Sequence, residues 1–223
     1  MSIHHVVDSV SSDVAAYSVS LDVDYSSRLA ALSPSVSQLN NGWAISRRRE
    51  FAAGRWAAAK AIGALCGRLD VPGRNGDRSP CWPSGVRGSI SHDKEQAIAL
   101  VGCSSKICRI GIDLEPVLSM SQVAEVRSTV ITHKDETYLT CLEGLNRIVT
   151  VIFSAKETLF KALYPEAGHY FDFKDAELVG FDQSSLTLQL RKNIGNCFTA
   201  GDSFTIEYRV VGCRVLTWQI DFL

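Results

Sequence analysis

No C-x-x-C pair occurs among the seven cysteines of this 223-residue chain, and their number is odd. That spacing excludes a paired disulfide framework and a structural zinc site. Most of the cysteines are therefore expected to be small buried apolar groups in a reducing compartment. The five histidines are scattered apart from adjacent His4 and His5, with no H-E-x-x-H. Neither sign of charge is in excess: 23 Lys and Arg stand against 24 Asp and Glu, for a net charge of −1. No global field points to a nucleic acid or an anionic membrane, so anion binding would have to come from local clusters. Apolar runs such as residues 97–102 are too short to span a bilayer. The start, Met1-Ser2-Ile3-His4-His5, lacks the basic and apolar segments of a secretory signal. A soluble cytoplasmic protein with no transmembrane segment is expected.

What the chain does have is a globular balance, 46% hydrophobic and 21% charged residues. Its length admits one large domain or two small ones. Residues 14–23 read as strand-like pieces among Ser and Asp. From Trp43 to about Leu69, Phe51, Ala58, Ile62 and Leu65 recur at spacings of seven, four and three, which predicts a helix. The turn-rich segment from Val71-Pro72-Gly73 onward ends it. Strands are predicted over 88–92, 96–101 and 109–115, the last ended by Pro116. A broken helical region over 119–145 and a helix over 153–164, stopped by Pro165, follow. Leu186, Leu188 and Leu190 alternate with polar residues, as do Leu216, Trp218, Ile220 and Phe222, so the end of the chain reads as β-rich. Each half offers a helix and several strands, an α+β architecture whose halves meet near residues 115–120.

Four segments can carry chemistry. In Ile110-Gly111-Ile112-Asp113-Leu114-Glu115, strand alternation turns the aliphatic residues to one face and Asp113 with Glu115 to the other. Two carboxylates so close repel unless a cation lies between them, and hard oxygen ligands suit Mg²⁺. Taken alone, the same D-x-E is an ordinary edge strand with a solvated acidic face. In Phe153-Ser154-Ala155-Lys156-Glu157-Thr158-Leu159-Phe160-Lys161-Ala162, Glu157 and Lys161 are four apart and adjacent on one helix face. They are either a surface ion pair or a third carboxylate beside a phosphate-binding lysine. In Gly88-Ser89-Ile90-Ser91-His92, a hydroxyl, an imidazole and backbone N–H groups stand beside glycines, a set suited to an anion. Ser91 and His92 are strand neighbours on opposite faces and no G-x-S-x-G is present, which argues against a hydrolase triad. In Arg47-Arg48-Arg49-Glu50-Phe51-Ala52-Ala53-Gly54-Arg55, the arginines form a candidate phosphate clamp.

In this order, R-R-x-E-F-x-x-x-R, P-x-W-P-x-G-x-x-G-S-I-S-H, G-I-D-x-E and F-S-A-K-E-x-x-x-K-A resemble the 4′-phosphopantetheinyl transferases over about residues 47–165. The likeness is to the Sfp-type members, notably the enterobactin-synthase component D group. The resemblance implies a pseudo-dimer of two similar α/β halves in one chain, with coenzyme A between them and a monomer as the natural state. Residues 1–116 would hold the coenzyme A phosphate-binding residues and the D-x-E strand, and residues 117–223 the K-E-x-x-x-K helix. It implies Asp113, Glu115 and Glu157 as Mg²⁺ ligands, with Glu157 also the general base. It implies Ser91, His92 and Lys161 as phosphate contacts and Arg47 and Arg55, with Arg48 beside them, as 3′-phosphate contacts. Lys156 holds the family position before the glutamate, and the loop over 74–77 corresponds to a coenzyme A-contacting segment. The implied reaction moves the phosphopantetheine arm of coenzyme A to a serine of an apo peptidyl, aryl or acyl carrier protein. Siderophore, antibiotic or polyketide synthesis is the implied setting, and adenosine 3′,5′-bisphosphate the implied product. A Mg²⁺-dependent phosphotransferase or phosphodiesterase without a carrier, and a silent coenzyme A-binding protein, are the rival classes.

Overall fold

Alanine dominates the first long helix for a packing reason. Ala52, Ala53, Ala57, Ala58, Ala59 and Ala61 are all fully buried, so their small side chains let the helix lie close against a sheet. The computed structural model describes residues 12–38, 42–139 and 144–223; His4, His5 and Cys141 lie outside them. The chain divides into two compact units, residues 1–110 with 220–223, and residues 111–219. Each unit is α+β, with one long helix packed against an antiparallel sheet, so the expected pair of similar halves is present.

In the first unit, β1 (Val14–Ser20), α1 (Ser26–Leu32) and α2 (Pro34–Gln38) precede α3 (Ile45–Cys66). A short hairpin, β2 (Gly73–Arg74) with β3 (Pro80–Cys81), leads to β4 (Val86–His92) and β5 (Gln96–Cys103). The sheet order is β1-β5-β4, antiparallel throughout, and α3 packs across it. Trp82 explains the glycine of its motif: a Cβ on Gly88 would lie 2.6 Å from the indole, so the ring occupies the space a side chain would need.

The second unit begins within β6 (Ile107–Pro116) and continues with α4 (Met120–Val130), α5 (His133–Leu139) and α6 (Leu145–Ala167). Strands β7 (Ala176–Phe181), β8 (Ser185–Leu190), β9 (Ser203–Val211) and β10 (Arg214–Phe222) complete a sheet of order β6-β10-β9-β8-β7. Inward residues meet in register, Leu178 with Leu188 and Leu186 with Ile206, beneath Ile152, Leu159 and Leu163 of α6. The helix begins eight residues before the predicted start and runs through Pro165, which was expected to stop it. Proline has no N–H to donate back and crowds the preceding turn, and here only residues 166 and 167 follow it before the left-handed Gly168 cap closes the helix.

Gly111 sets how closely α6 approaches β6. A Cβ there would lie 2.3 Å from the main-chain oxygen of Thr158, so helix and strand meet backbone to backbone. Among the described residues no helix is long and apolar enough to cross a membrane. The cysteine expectation is corrected: of the six described cysteines, all free thiols, four are exposed and none is fully buried. Cys66 ends α3 and Cys81 lies in the short hairpin, while Cys197 and Cys213 lie outside the strands, so these positions never enter a core.

Candidate active site

The close approach at Gly111 brings the next residue on the same strand face, Asp113, under α6. Asp113 is almost fully buried, at 2% exposure, rather than part of a solvated acidic face. Its Oδ1 accepts a 2.6 Å hydrogen bond from Lys161 Nζ, and its Oδ2 accepts one of 2.8 Å from Ser154 Oγ. Lys161 also donates to the main-chain oxygen of Ile112 at 3.3 Å. Glu157, one turn before Lys161, is half-buried. Burial pushes its carboxyl above the usual range, Lys161 opposes the shift, and the negative charge of Asp113 adds to it. Helix periodicity places Glu157 beside Lys161 and the close approach of β6 adds Asp113, joining two carboxylates and one lysine in a single electrostatic group. Glu115, half-buried, follows Asp113 by two residues on β6. Among the described residues no group of three or more His, Cys, Asp or Glu side chains converges as a metal cage. A pocket of about 280 Å³ opens beside Glu157, walled by Leu159, Phe160, Tyr170, Phe171 and Phe173.

Lys156 turns away from this group. Its ammonium, 1% exposed, pairs with fully buried Asp135 at 2.6 Å and donates to the main-chain oxygen of Val130 at 2.8 Å. Burial pushes its pKa below the usual lysine range, against the pull of Asp135. Asp135 also accepts from the main-chain N–H groups of Thr132 and Leu178. The motif's first lysine therefore ties α6 to α5 and β7, and its second faces the carboxylates.

A basic cavity of about 500 Å³ lies in the first unit, lined by Arg47, Arg55, Arg74, Arg78 and His92 with Trp43 and Phe51. Arg47 Nη1 stands 3.2 Å from His92 Nε2 and 3.0 Å from Glu50. Arg55 is buried, stacked 4.7 Å from the Phe51 ring and donating to the main-chain oxygen of Gly73 at 3.0 Å. Its Nε is buried without a hydrogen-bond partner. Burial, then the charges of Arg74 and Arg47, push Arg55 down to about 10, so the cluster is electrostatically frustrated while still charged at neutral pH. An anion would relieve it. Arg74 stacks 5.1 Å over Trp43. Arg78 holds a left-handed φ of 76° and donates its N–H to the Asn75 oxygen at 3.0 Å. Such strain in a non-glycine residue commonly accompanies a binding role.

His92 shares the β4 face of Ile90, toward this cavity, whereas Ser91 is buried on the opposite face. Arg48 is exposed and does not line the cavity. The sequence reading missed Arg78, because one arginine in a turn carries no periodic signal.

Residues 37–102 match the family described as 4′-phosphopantetheinyl transferase N-terminal domain, and residues 109–210 match the 4′-phosphopantetheinyl transferase superfamily. The chain belongs to the 4′-phosphopantetheinyl transferase superfamily. It is 32% identical over 145 residues to enterobactin synthase component D of Salmonella typhimurium, covering 65% of this chain and 59% of that protein. The protein of the same name from Escherichia coli K12 is 33% identical over 145 residues, 64% of this chain and 66% of the other. The 4′-phosphopantetheinyl transferase Svp of Streptomyces mobaraensis is 36% identical over 151 residues, 65% of this chain and 59% of the other. The chain thus spans roughly three fifths of the length of these relatives. The basic cavity falls within the N-terminal transferase match, and Asp113, Glu157 and Lys161 fall within the superfamily match.

Proposed function

We propose that this chain is a 4′-phosphopantetheinyl transferase that moves the phosphopantetheine arm of coenzyme A to a serine hydroxyl of an apo carrier protein. The observation that carries the reading is the Asp113–Lys161–Glu157 group inside the superfamily match. The serine oxygen forms a bond to the β-phosphorus of coenzyme A. The pyrophosphate P–O bond breaks, and adenosine 3′,5′-bisphosphate leaves with the bonding electrons. A serine hydroxyl is a weak nucleophile, and Glu157, its proton affinity raised by burial, is the base that takes its proton, directly or through water. Lys161 contributes positive charge at the pyrophosphate, where charge grows as the bond breaks. The frustrated arginines of the first unit, with His92, suit the 3′-phosphate, and Ser91 is proposed to contact phosphate through its strand-end backbone. In this reading residues 1–116 hold the nucleotide phosphates and residues 117–223 carry the helix with the base.

Mg²⁺ fits the donor set. Asp113 and Glu157 are hard oxygen donors whose combined charge exceeds that of Lys161, and Glu115 lies on the same strand. Mg²⁺ usually takes one or two carboxylates and completes its shell with water and substrate phosphate, so no three-residue cage is required. Asp113 and Glu157 are its proposed direct ligands, with Glu115 of the implied set an accessory carboxylate on the same strand, and the ion would neutralise charge on the pyrophosphate. The family likeness to enterobactin and Svp enzymes favours peptidyl or aryl carrier proteins of siderophore or antibiotic synthesis.

The deciding experiment is intact-mass analysis of an apo peptidyl carrier protein incubated with this protein, coenzyme A and Mg²⁺. A carrier heavier by one phosphopantetheine arm, and unchanged with EDTA, is the expected result. An unmodified carrier despite bound coenzyme A overturns the reading. Arg47, exposed and outside any core, tests the phosphate assignment separately. Arg47→Ala is expected to weaken coenzyme A binding by roughly tenfold, the value of one charged hydrogen bond. Dephospho-coenzyme A, which lacks the 3′-phosphate, should bind both forms alike by calorimetry, and equal losses for the two ligands would remove Arg47 from that contact.

A further inference from the structure

We infer that Ser154 and Thr217 are positioning residues for Asp113, forming with Thr158 a one-way chain of hydroxyls that ends on its carboxylate. The inference rests on the proposed role of Asp113 as a cation ligand. Ser154 Oγ lies 2.8 Å from Asp113 Oδ2 and 2.9 Å from Thr217 Oγ1. Thr217 Oγ1 is in turn 2.6 Å from Thr158 Oγ1 and donates within 3.0 Å of the Ser154 main-chain oxygen. All three hydroxyl residues are fully buried.

Proton counting gives the chain its direction. A hydroxyl has one proton to donate, and an ionised carboxylate only accepts. Ser154 therefore spends its proton on Asp113, and its own oxygen accepts. The single proton of Thr217 has two acceptors on Ser154, the hydroxyl at 2.9 Å and the main-chain oxygen at 3.0 Å; the chain is the state in which it goes to the hydroxyl while Thr158 donates to Thr217. Chains aligned this way polarise one another, so the last bond, the one to Asp113, gains from those behind it. The geometry also divides the carboxylate: Oδ2 is held by the chain while Oδ1 faces Lys161. The orientation of Asp113 thus depends on a residue of β10 that is 63 positions away from Ser154 in sequence.

The test measures Mn²⁺ affinity of the isolated protein by electron paramagnetic resonance, together with kcat and KM for coenzyme A. Thr217→Val keeps the shape and removes the hydroxyl; Thr217→Ser keeps the hydroxyl. Thr217→Val and Ser154→Ala are expected to weaken Mn²⁺ binding by roughly 10–100-fold, the usual effect of losing an outer partner of a ligand. Their kcat should fall with KM for coenzyme A little changed, and Thr217→Ser should behave as wild type. Equal behaviour of Thr217→Val and Thr217→Ser, or wild-type Mn²⁺ affinity in Ser154→Ala, overturns the inference. Asp113→Asn separates the two levels: if it binds Mn²⁺ normally, the ligand role of Asp113 falls and the inference with it. If only Asp113→Asn loses Mn²⁺, the ligand role stands and the hydroxyl chain is rejected.

Discussion

Glu157→Gln is expected to slow carrier modification by about 10²–10⁴-fold, the contribution of a positioned general base. The substitution preserves volume and removes only the capacity to take a proton, so α6 should keep its packing. Asp113→Asn should be comparably severe for a different reason. Its carboxylate is the counter-charge of Lys161 at 2.6 Å, and an amide leaves that ammonium poorly oriented toward the pyrophosphate. Time courses of carrier mass, with circular dichroism to check the fold, measure both. Near-wild-type turnover in Glu157→Gln would remove the glutamate from the chemistry and leave it as packing beside the aromatic pocket.

The second large effect is on stability, at the other lysine of the motif. Lys156→Met strips the partner from Asp135, which is fully buried, and a buried charge left uncompensated costs about 3–5 kcal/mol. Lys134 provides an internal comparison, since it pairs with Glu177 at 3.0 Å but is 44% exposed. Lys134→Met should cost about 0–1 kcal/mol, because water screens that pair. Urea denaturation of the two variants gives the contrast directly. Equal losses would mean that the Lys156–Asp135 pair contributes no more than a surface contact.

The contrast between the two lysines also marks the limit of reading by pattern. Glu157 and Lys161 were legible because both lie on one helix, where spacing alone fixes the shared face. Asp113 was legible as a candidate because strand alternation separates it from Ile112 and Leu114. Its burial was not, since that depends on Gly111 admitting the backbone of a helix more than forty residues away. Thr217 reads as the polar partner in the Leu216–Trp218 alternation and so as solvent-facing; it is fully buried because hydroxyls of α6 receive it. Asp135 sits in the charged run His133-Lys134-Asp135-Glu136, which reads as a wet surface. The ammonium of Lys156, brought from another helix, and the main-chain N–H groups of Thr132 and Leu178 make its burial tolerable. In the first unit, the motif order drew attention to Arg47, Arg55 and His92, while Arg78 depended on a turn conformation that few arginines adopt.

The backbone contact at Gly111 has a bearing on how such a protein can diverge. With no side chain at position 111, the strand meets the helix at the main-chain oxygen of Thr158 and the Cβ of Ala162. Exchanges of leucines and valines deeper in the second unit that preserve this contact also preserve the approach of Asp113 to Lys161. A lineage could alter stability, temperature range or surface while the reacting groups keep their register, so long as position 111 gains no side chain and the hydroxyls at 154 and 217 are kept.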